Sequence, residues 1–373
     1  MKVTADRNRL SESFARAATF SPGKSPKPIL EHVLLEATNG ATVFHATDLE
    51  CSARLAAEGV EFDKPGAVLL DTVQFPAILR ECTDDVVTIE DRGTTIFVRC
   101  GRSEYKLPSA NPGDFPIDRS EVPPLGVSLS GAAFRDLIEA VEFATDVEST
   151  RYALAGIKLE FRDGMLTAVG TDGRRLATAE TTAEGKLDGC LYHVKPARKI
   201  NRVIPGDKTI RFTADANKAV LIWDGGQVIT RQVEGRYPKW RDVIPEKNQD
   251  GTARGWSMTT VVGPFHAAVR QASIACSVDS RGVDFRFDAG AVTFSAATHD
   301  HGQSEVRMVA DYDGKEVILR LDHSFVRAFL KTLPPEANLD ISIDNADSCA
   351  LFRCGNTRYV IMPLSRDAAQ EAK

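Results

Sequence analysis

The chain of 373 residues lacks any long hydrophobic run. No stretch approaches the roughly 18 apolar residues that a membrane-spanning helix needs, and its first residues, MKVTADRNRLSESF, have no apolar core of a secretory signal. Its seven cysteines are odd in number, scattered and free of any C-x-x-C pair. This usage argues for reduced thiols in a cytosol and against a zinc site or a disulfide framework. We therefore expect a cytoplasmic protein that contacts no membrane.

Net positive charge is missing as well. Lysine and arginine number 46 against 52 aspartate and glutamate residues, which gives a formal charge of −6. A simple nucleic-acid binder is usually basic overall. If this chain contacts DNA, its basic residues must therefore be concentrated on one surface.

Motifs for catalysis and for cofactor or metal binding are also lacking. The sequence has no G-x-S-x-G, Walker or H-E-x-x-H pattern. In THDHG, His299 and His301 flank Asp300 and could chelate a metal, but no third ligand cluster lies nearby and a hairpin turn is expected there. Cys349 and Cys354 lie near a predicted hairpin, where idle thiols are more common than a regulatory disulfide. We predict no catalytic residue, cofactor or metal, and keep an enzyme with its site at the domain joints as a rival hypothesis.

What the sequence does contain is a threefold repeat. Each third begins with a helical pattern, in which apolar residues recur at steps of three and four, and continues with alternating strand pairs and a second helix. The six helices are predicted at 8–20, 71–82, 130–144, 195–204, 262–275 and 322–333. The strand pairs are predicted at 29–55, 154–180 and 282–308, with turns at Asn39-Gly40, Asp163-Gly164 and Ala289-Gly290.

Equivalent points recur about every 120–125 residues, which is too long for a solenoid repeat and indicates a chain of domains. Two joints rich in proline, glycine and polar residues, EVPPLG (121–126) and PEKNQDGTARG (245–255), separate the copies. The predicted domains are therefore 1–122, 127–246 and 253–373.

Basic residues line one face of several predicted helices. In the fourth helix, apolar residues occupy the opposite side, and the basic face is formed by Lys195, Arg198, Lys199 and Arg202. In the sixth and fifth helices the corresponding residues are His323, Arg327, Lys331, His266 and Arg270. A single basic stripe is most often a solvated face, but its recurrence in successive repeats favours one joint surface that contacts phosphates without reading bases.

The stretch GTDGRRLA (170–177) carries the strongest turn signal, because glycine tolerates a positive φ and aspartate can bond its own backbone. It can be read as a hairpin tip with solvated charges. It can also be read as a binding surface, on which a rigid turn displays Arg174, Arg175 and Leu176.

Together with RYPKWRDVIP (236–245) and YVIMPL (359–364), this stretch resembles the bacterial DNA sliding clamps, the beta subunits of DNA polymerase III. The resemblance covers essentially the whole chain. It implies an α+β fold of three repeated DNA-clamp domains, each with two helices packed on antiparallel sheets. It also implies a head-to-tail homodimer ring with helices lining the hole, which fits the rule that head-to-tail contacts close into rings or grow into filaments.

The implied function is that of a non-catalytic processivity factor in DNA replication. The ring would encircle double-stranded DNA without sequence preference, in the cytoplasm and associated with the bacterial nucleoid. The replicative polymerase, the clamp loader and repair factors would bind it through short peptides. A divergent clamp dedicated to repair and a monomeric adaptor that uses the same pocket are the alternatives.

The resemblance also implies three sets of site residues. The partner-peptide pocket is formed by Leu154, Thr171, Gly173, Arg174, Arg175, Leu176, Pro238, Val243, Val360, Ile361, Met362, Pro363 and Leu364. The DNA-binding residues are Lys24, Arg151, Tyr152, Lys195, Arg198, Lys199 and Arg202. The dimer interface brings Tyr105 and Leu107 of one chain to Ile274 of the other.

Some positions depart from the family pattern. Arg174 stands where histidine is frequent, Asp242 where a basic residue is common, and Ala153 where an aromatic residue is frequent. The chain also continues past MPL as SRDAAQEAK. We expect these changes to alter the peptide preference of the pocket, with Asp242 favouring partners that carry a basic residue nearby.

Overall fold

The computed structural model describes residues 1–38, 40–146, 148, 152–245 and 255–365. The six α-helices in these ranges are α1 (Arg7–Ala18), α2 (Gln74–Glu81), α3 (Gly131–Glu142), α4 (Val194–Val203), α5 (Val262–Ala272) and α6 (His323–Leu330). All six predicted helices are confirmed, and their ends differ from the prediction by no more than three residues. Among the described residues, no helix has the length and apolar character that a membrane crossing requires.

The strands fill the segments between these helices. In chain order they are β1 (Lys2–Asp6), β2 (His32–Thr38), β3 (Ala41–Thr47), β4 (Cys51–Ala56), β5 (Val60–Lys64), β6 (Gly66–Asp71), β7 (Val86–Asp91), β8 (Thr95–Cys100), β9 (Ser103–Pro108), β10 (Gly126–Ser130), β11 (Gly156–Arg162), β12 (Met165–Thr171), β13 (Arg175–Thr182), β14 (Glu184–Gly185), β15 (Cys190–His193), β16 (Thr209–Ala214), β17 (Lys218–Trp223), β18 (Gly226–Arg231), β19 (Trp256–Val261), β20 (Gly282–Asp288), β21 (Ala291–Thr298), β22 (Gly302–Val309), β23 (Val317–Asp322), β24 (Asn338–Ile343), β25 (Ala350–Cys354) and β26 (Thr357–Ile361).

One compact unit comprises Met1–Arg135 and Ala183–Gln232. It holds a five-stranded sheet in the order β5-β1-β7-β8-β9 and a nine-stranded sheet in the order β14-β10-β16-β17-β18-β4-β3-β2-β6. Strands β18 and β4 pair antiparallel and continue the larger sheet from one repeat into the next. Helix α1 begins where Asp6 accepts the backbone N–H of Arg9 at 2.9 Å. It buries Phe14, whose ring meets those of Phe44 and Phe75 at 5.7 and 4.9 Å between centroids.

The second compact unit comprises Asp136–Thr182 and Val233–Lys373. Seven of its strands pair in the order β11-β12-β13-β26-β25-β24-β19, and four more in the order β22-β21-β20-β23. Strand β13 pairs antiparallel with β26, which again joins two repeats in one sheet. In its core Phe265 and Phe294 meet at 5.3 Å, and Phe329 stacks on Tyr359 at 4.6 Å. The boundaries of the three predicted domains stay a prediction, because each unit contains strands of two repeats.

Candidate functional site

The turn between β12 and β13 is held by its own side chains. The carboxylate of Asp172 accepts the backbone N–H groups of Arg174 and Arg175 at 2.9 and 3.0 Å. The hydroxyl of Thr171 accepts the N–H of Gly173 at 3.1 Å and donates to the carbonyl of Arg175 at 2.6 Å. Gly173 has a φ of 90°, in the left-handed region that favours glycine. GTDGRRLA therefore forms a stiff hairpin tip, as its turn signal predicts.

The two arginines of this tip have different surroundings. Arg174 is exposed, whereas the side chain of Arg175 is only 13% exposed and its Nε donates to Asp172 at 2.8 Å. The Arg175 guanidinium also stacks over the ring of Phe325 at 4.2 Å and lies 5.7 Å from that of Phe143. The expectation that this turn displays both arginines and Leu176 is wrong for Arg175, which these contacts hold inward, and for Leu176, which is buried.

The segment YVIMPL (359–364) lies beside this turn. Val360 pairs with Leu176 across the β13–β26 ladder, and the N–H of Met362 donates to the carbonyl of Arg174 at 2.9 Å. Two residues later, the N–H of Leu364 donates to the carbonyl of Arg320 at 2.7 Å. These bonds fix the backbone on both sides of Met362, whose side chain is 45% exposed.

The third motif, RYPKWRDVIP, docks on the same strands through its aromatic residues. Trp240 is buried against Leu176 and Val360, in a cluster that also receives Ile244. The hydroxyl of Tyr237 donates to the carbonyl of Val169 at 3.0 Å, and burial raises the pKa of this phenol above its usual range. The structure thus brings all three sequence motifs to one hydrophobic cluster.

Residues of these three motifs line three cavities. The largest, about 530 Å³, is lined by Ala153, Leu154, Glu234, Gly235, Arg236, Tyr237, Pro238 and Lys239. A second, about 430 Å³, is lined by Thr145, Asp146, Asp172, Arg174, Arg175 and Phe325. A third, about 120 Å³, is lined by Pro245, Ser342, Ile343, Asp344, Asp347, Ser348, Cys349 and Met362. The first and third cavities have mainly apolar walls, which suit a short peptide with apolar anchors, whereas the second is lined mainly by polar and charged side chains.

The predicted pocket residues that line one of these cavities are Leu154, Arg174, Arg175, Pro238 and Met362. Five of the predicted pocket residues are buried, namely Leu154, Thr171, Leu176, Val360 and Ile361. Five others are exposed, namely Gly173, Arg174, Pro238, Val243 and Met362. Two more, Pro363 and Leu364, are partly buried. The sequence motifs did not single out Tyr237 and Trp240, although both lie within RYPKWRDVIP. The signal in the sequence was their aromatic character, since Tyr237 directly precedes Pro238 and Trp240 follows that proline by two residues.

Gly170 allows β12 to pass directly beneath the end of α3. A Cβ atom built on Gly170 would lie 2.3 Å from the carbonyl oxygen of Val141, a backbone atom that cannot give way cheaply. We expect Gly170→Ala to lower the free energy of unfolding by about 3 kcal/mol, because the overpacking must displace the strand or the helix end. Urea unfolding checks this, with Gly23→Ala as the control, since Gly23 has nothing within 4 Å of its Cβ position. Equal changes in both variants would contradict the close approach.

The basic face of α4 is confirmed in part. Val194, Ala197, Ile200 and Val203 are buried, while Lys195, Arg198 and Arg202 are exposed. Lys199 is partly buried, and its Nζ forms an ion pair with Asp48 at 2.5 Å, so its charge is already compensated. Lys24 is exposed. Arg151 and the side chain of Tyr152 lie outside the described residues.

Each compact unit has a sheet with an edge strand that pairs on one side only, among the described residues. Strand β9, with the partly buried Tyr105 and Leu107, pairs only with β8, and β22 pairs only with β21 among the described residues. Ile274, 76% exposed, follows α5. Near it, Thr298 and Ser304 donate to the carbonyls of Ala275 and Ala272, which tie this segment to β21 and β22.

THDHG forms the turn between β21 and β22, as predicted. His299 is fully exposed, and its Nδ1 lies 3.2 Å from Asp300 Oδ1. Within the described ranges, no three histidine, cysteine, aspartate or glutamate side chains converge in a way that would hold a metal ion.

Comparisons with known proteins agree with this geometry. The N-terminal and central domain models of the DNA polymerase III beta subunit match residues 1–119 and 128–239. The beta sliding clamps of Chlamydia muridarum and Escherichia coli K12 are each 26% identical, over 98% of this chain and 99% and 100% of theirs. A sliding clamp from Pseudomonas aeruginosa, crystallised with griselimycin, superposes with a TM-score of 0.90 at 21% identity, covering 98% of this chain and 99% of that one. A DNA polymerase III beta subunit from Thermotoga maritima gives 0.88 at 19% identity, with the same coverage.

The fold is therefore that of the DNA sliding clamps. The chain belongs to the family of bacterial beta sliding clamps, the beta subunits of DNA polymerase III.

Proposed function

We propose that two copies of this chain form a ring around duplex DNA and that the ring tethers DNA polymerase III to its template without catalysing a reaction. Membership of the sliding-clamp family over 98% of the chain carries this proposal. A closed ring needs no tight or specific DNA contact, because it cannot leave a long duplex sideways. Tethering raises the effective concentration of the polymerase at the template, so that rebinding becomes an intramolecular event.

The two edge strands support the head-to-tail dimer. An open strand edge pairs readily with another chain, and β9 and β22 are edge strands of two different sheets. Such a contact is heterologous and must either close or grow into a filament. Apolar side chains stand at both edges, with Leu107 on β9, Val309 88% exposed on β22, and Ile274 nearby.

Solution mass tests the dimer and separates it from a monomeric adaptor. Sedimentation at micromolar concentration is expected to give about 81 kDa, twice the 40.6 kDa of one chain. A stable species of 40.6 kDa would contradict the ring and favour the adaptor.

For the DNA contact, we propose that Lys24 and the exposed side of α4 face phosphates. Replacing Lys195, Arg198 and Arg202 together with glutamine is expected to weaken binding to any duplex sequence. It should also flatten the dependence of log K on log salt by about 1 for each phosphate interaction that the substitutions remove. Fluorescence anisotropy over a salt series measures both quantities.

The control for this variant removes the same charge elsewhere in the same unit. Lys64, Lys186 and Arg211 are exposed but lie on strands or loops. Their triple glutamine variant should keep the salt dependence of the unaltered protein. A decrease in slope in this control as large as in the α4 variant would mean that total charge, and not the helix face, governs binding.

The three cavities support the proposal that replication and repair partners bind through short peptides. Apolar anchors would enter beside Leu154 and Met362, and the exposed Arg174 and Asp347 would meet charged neighbours of those anchors. Ala153 contributes only a methyl group to the wall of the cavity of about 530 Å³.

A further inference from the structure

Two cysteine side chains lie together beneath the surface of the compact unit that begins at Met1. Cys82 directly follows α2, and Cys100 is the last residue of β8. Both are buried, at 7% and 3% exposed. The Cys82 thiol is hydrogen-bonded to the sulfur of Cys100, and the Cys100 thiol donates to the carbonyl of Asp84 at 3.6 Å. The fold thus brings into contact two thiols that belong to different elements.

Two short exposed loops cover this pair. Residues 83–85 connect α2 to β7, and residues 101–102 form the turn between β8 and β9; all of them are exposed. The loops touch each other, since a Cβ atom at Gly101 would collide with the carboxylate of Asp84. Gly101 has a φ of 58°, which favours glycine. A small movement of these loops is therefore enough to admit a small oxidant to the sulfurs.

The contact between the thiols gives them different roles. Burial, followed by the hydrogen bond to Cys100 and by the charge of its thiolate, raises the pKa of Cys82 to about 12. Cys82 therefore keeps its proton at pH 7 and can donate it to the neighbouring sulfur. A hydrogen bond of this kind favours the thiolate that accepts it, and the thiolate is the form that attacks oxidants. Cys100 is thus the attacking sulfur and Cys82 the second thiol.

A cation stands beside the pair. Nη1 of Arg7 donates to the carbonyl of Leu79 at 3.4 Å, and its Nε is buried without a hydrogen-bond partner among the described residues. The charge of Arg7 reaches the thiols, because it opposes the effect of burial on the pKa of Cys82. A nearby guanidinium stabilises a thiolate. The site therefore combines an attacking sulfur, a second thiol and a cation.

We propose that Cys82 and Cys100 form a redox-sensitive pair that hydrogen peroxide converts into a disulfide. The Cys100 thiolate attacks one peroxide oxygen, the O–O bond breaks, and the other oxygen takes up the released thiol proton and leaves as water. The Cys82 sulfur then attacks the sulfenic acid formed on Cys100, the S–O bond breaks, and a second water leaves with the Cys82 proton. In total the two thiols lose two electrons and two protons, and the peroxide is reduced to two waters.

The second thiol decides where oxidation stops. A lone sulfenic acid is oxidised further to sulfinic and sulfonic acids, which dithiols do not reduce. In the pair the disulfide forms first, and a dithiol returns it to the two thiols. The bond would also tie the end of α2 to the β8–β9 hairpin. This inference does not depend on the proposed ring.

Peptide mass spectrometry of the unaltered full chain tests the pair. The protein is treated with hydrogen peroxide at about pH 7, the remaining thiols are blocked with N-ethylmaleimide in urea, and trypsin is added without a reductant. Trypsin releases residues 81–92 and 100–102, which contain one cysteine each. We expect these peptides to be joined, at about 2 Da below the sum of their reduced masses, and to separate again with dithiothreitol.

Cys51 provides the control, because it is also buried and the groups that act on its thiol, Asp48, Lys199 and Glu50, include no second cysteine. Cys51→Ser should give the joined peptides in the same yield. Cys82→Ser should abolish them and let Cys100 accumulate as sulfinic acid, about 32 Da heavier. Circular dichroism shows whether each variant is folded, and the measurement on the unaltered chain stands without either.

Two results would overturn the proposal. One is recovery of Cys82 and Cys100 as blocked thiols after the partly buried Cys276 and Cys354 have been oxidised, since the pair would then be inert. The other is joining of Cys51 to other cysteines as often as Cys82 joins Cys100, because the disulfide would then reflect unselective oxidation of an unfolded chain.

Discussion

Replacing Ile274 with aspartate is expected to convert the protein from a dimer of about 81 kDa into single chains of 40.6 kDa. Ile274 is 76% exposed in the isolated chain, so the new carboxylate is solvated there and the fold is unaffected. In the proposed interface the same carboxylate would be buried without a partner, which costs several kcal/mol. A penalty of that size weakens the dimer more than about a hundredfold.

Val261→Asp provides the matched control, since Val261 is an exposed apolar residue on β19 of the same unit. This variant should remain a dimer. Circular dichroism of both variants would show whether the fold is intact. A dimeric Ile274→Asp protein would exclude Ile274 from the interface, and dissociation of both variants to the same degree would show that exposed charge alone weakens the assembly.

Replacing Met362 with alanine is expected to weaken the binding of a partner peptide by about thirtyfold, with no change in DNA binding. Hydrogen bonds of the Met362 and Leu364 N–H groups fix the backbone here, while the Met362 side chain stays exposed. Its flexible thioether suits apolar anchors of different shapes. The truncation removes apolar contact from the wall of the cavity of about 120 Å³ that Met362 lines, and buried apolar anchors contribute much of the affinity of such contacts. Anisotropy with a fluorescent peptide from the replicative polymerase of the same organism measures the change in affinity.

Leu125→Ala is the control for this measurement, because Leu125 and Met362 are equally exposed, at 45%. It should bind the peptide as the unaltered protein does. If Met362→Ala weakened DNA binding as much as peptide binding, the proposed separation of the two surfaces would be wrong.

The helices and the repeat could be predicted because they depend on local pattern. Phe134, Leu137, Ile138 and Val141 recur at helical spacing, and all four are buried in α3. The glycine-marked turns were equally readable, since Gly164 and Gly290 adopt the positive φ that their positions require.

Contacts between distant residues could not be read from such patterns. The ion pair that occupies Lys199 joins it to Asp48, 151 positions away, so a helical wheel places Lys199 with the exposed basic residues. In the same way, the alternation of a strand does not reveal that Phe143 and Phe325 hold Arg175 inward. The pairing of β18 with β4 is likewise non-local, and it continues a sheet across a joint that composition alone marks as a linker.

Retention on DNA with capped ends tests the central claim most directly. The protein is incubated with a long linear duplex that carries biotin at both ends, streptavidin is added to block the ends, and the complex is washed in high salt, which abolishes simple phosphate contacts. A ring that encircles DNA should survive the wash on capped DNA and be lost from uncapped DNA, because it can leave only by sliding off an end. Equal loss from both would contradict encirclement and show that the protein holds DNA by surface contacts alone.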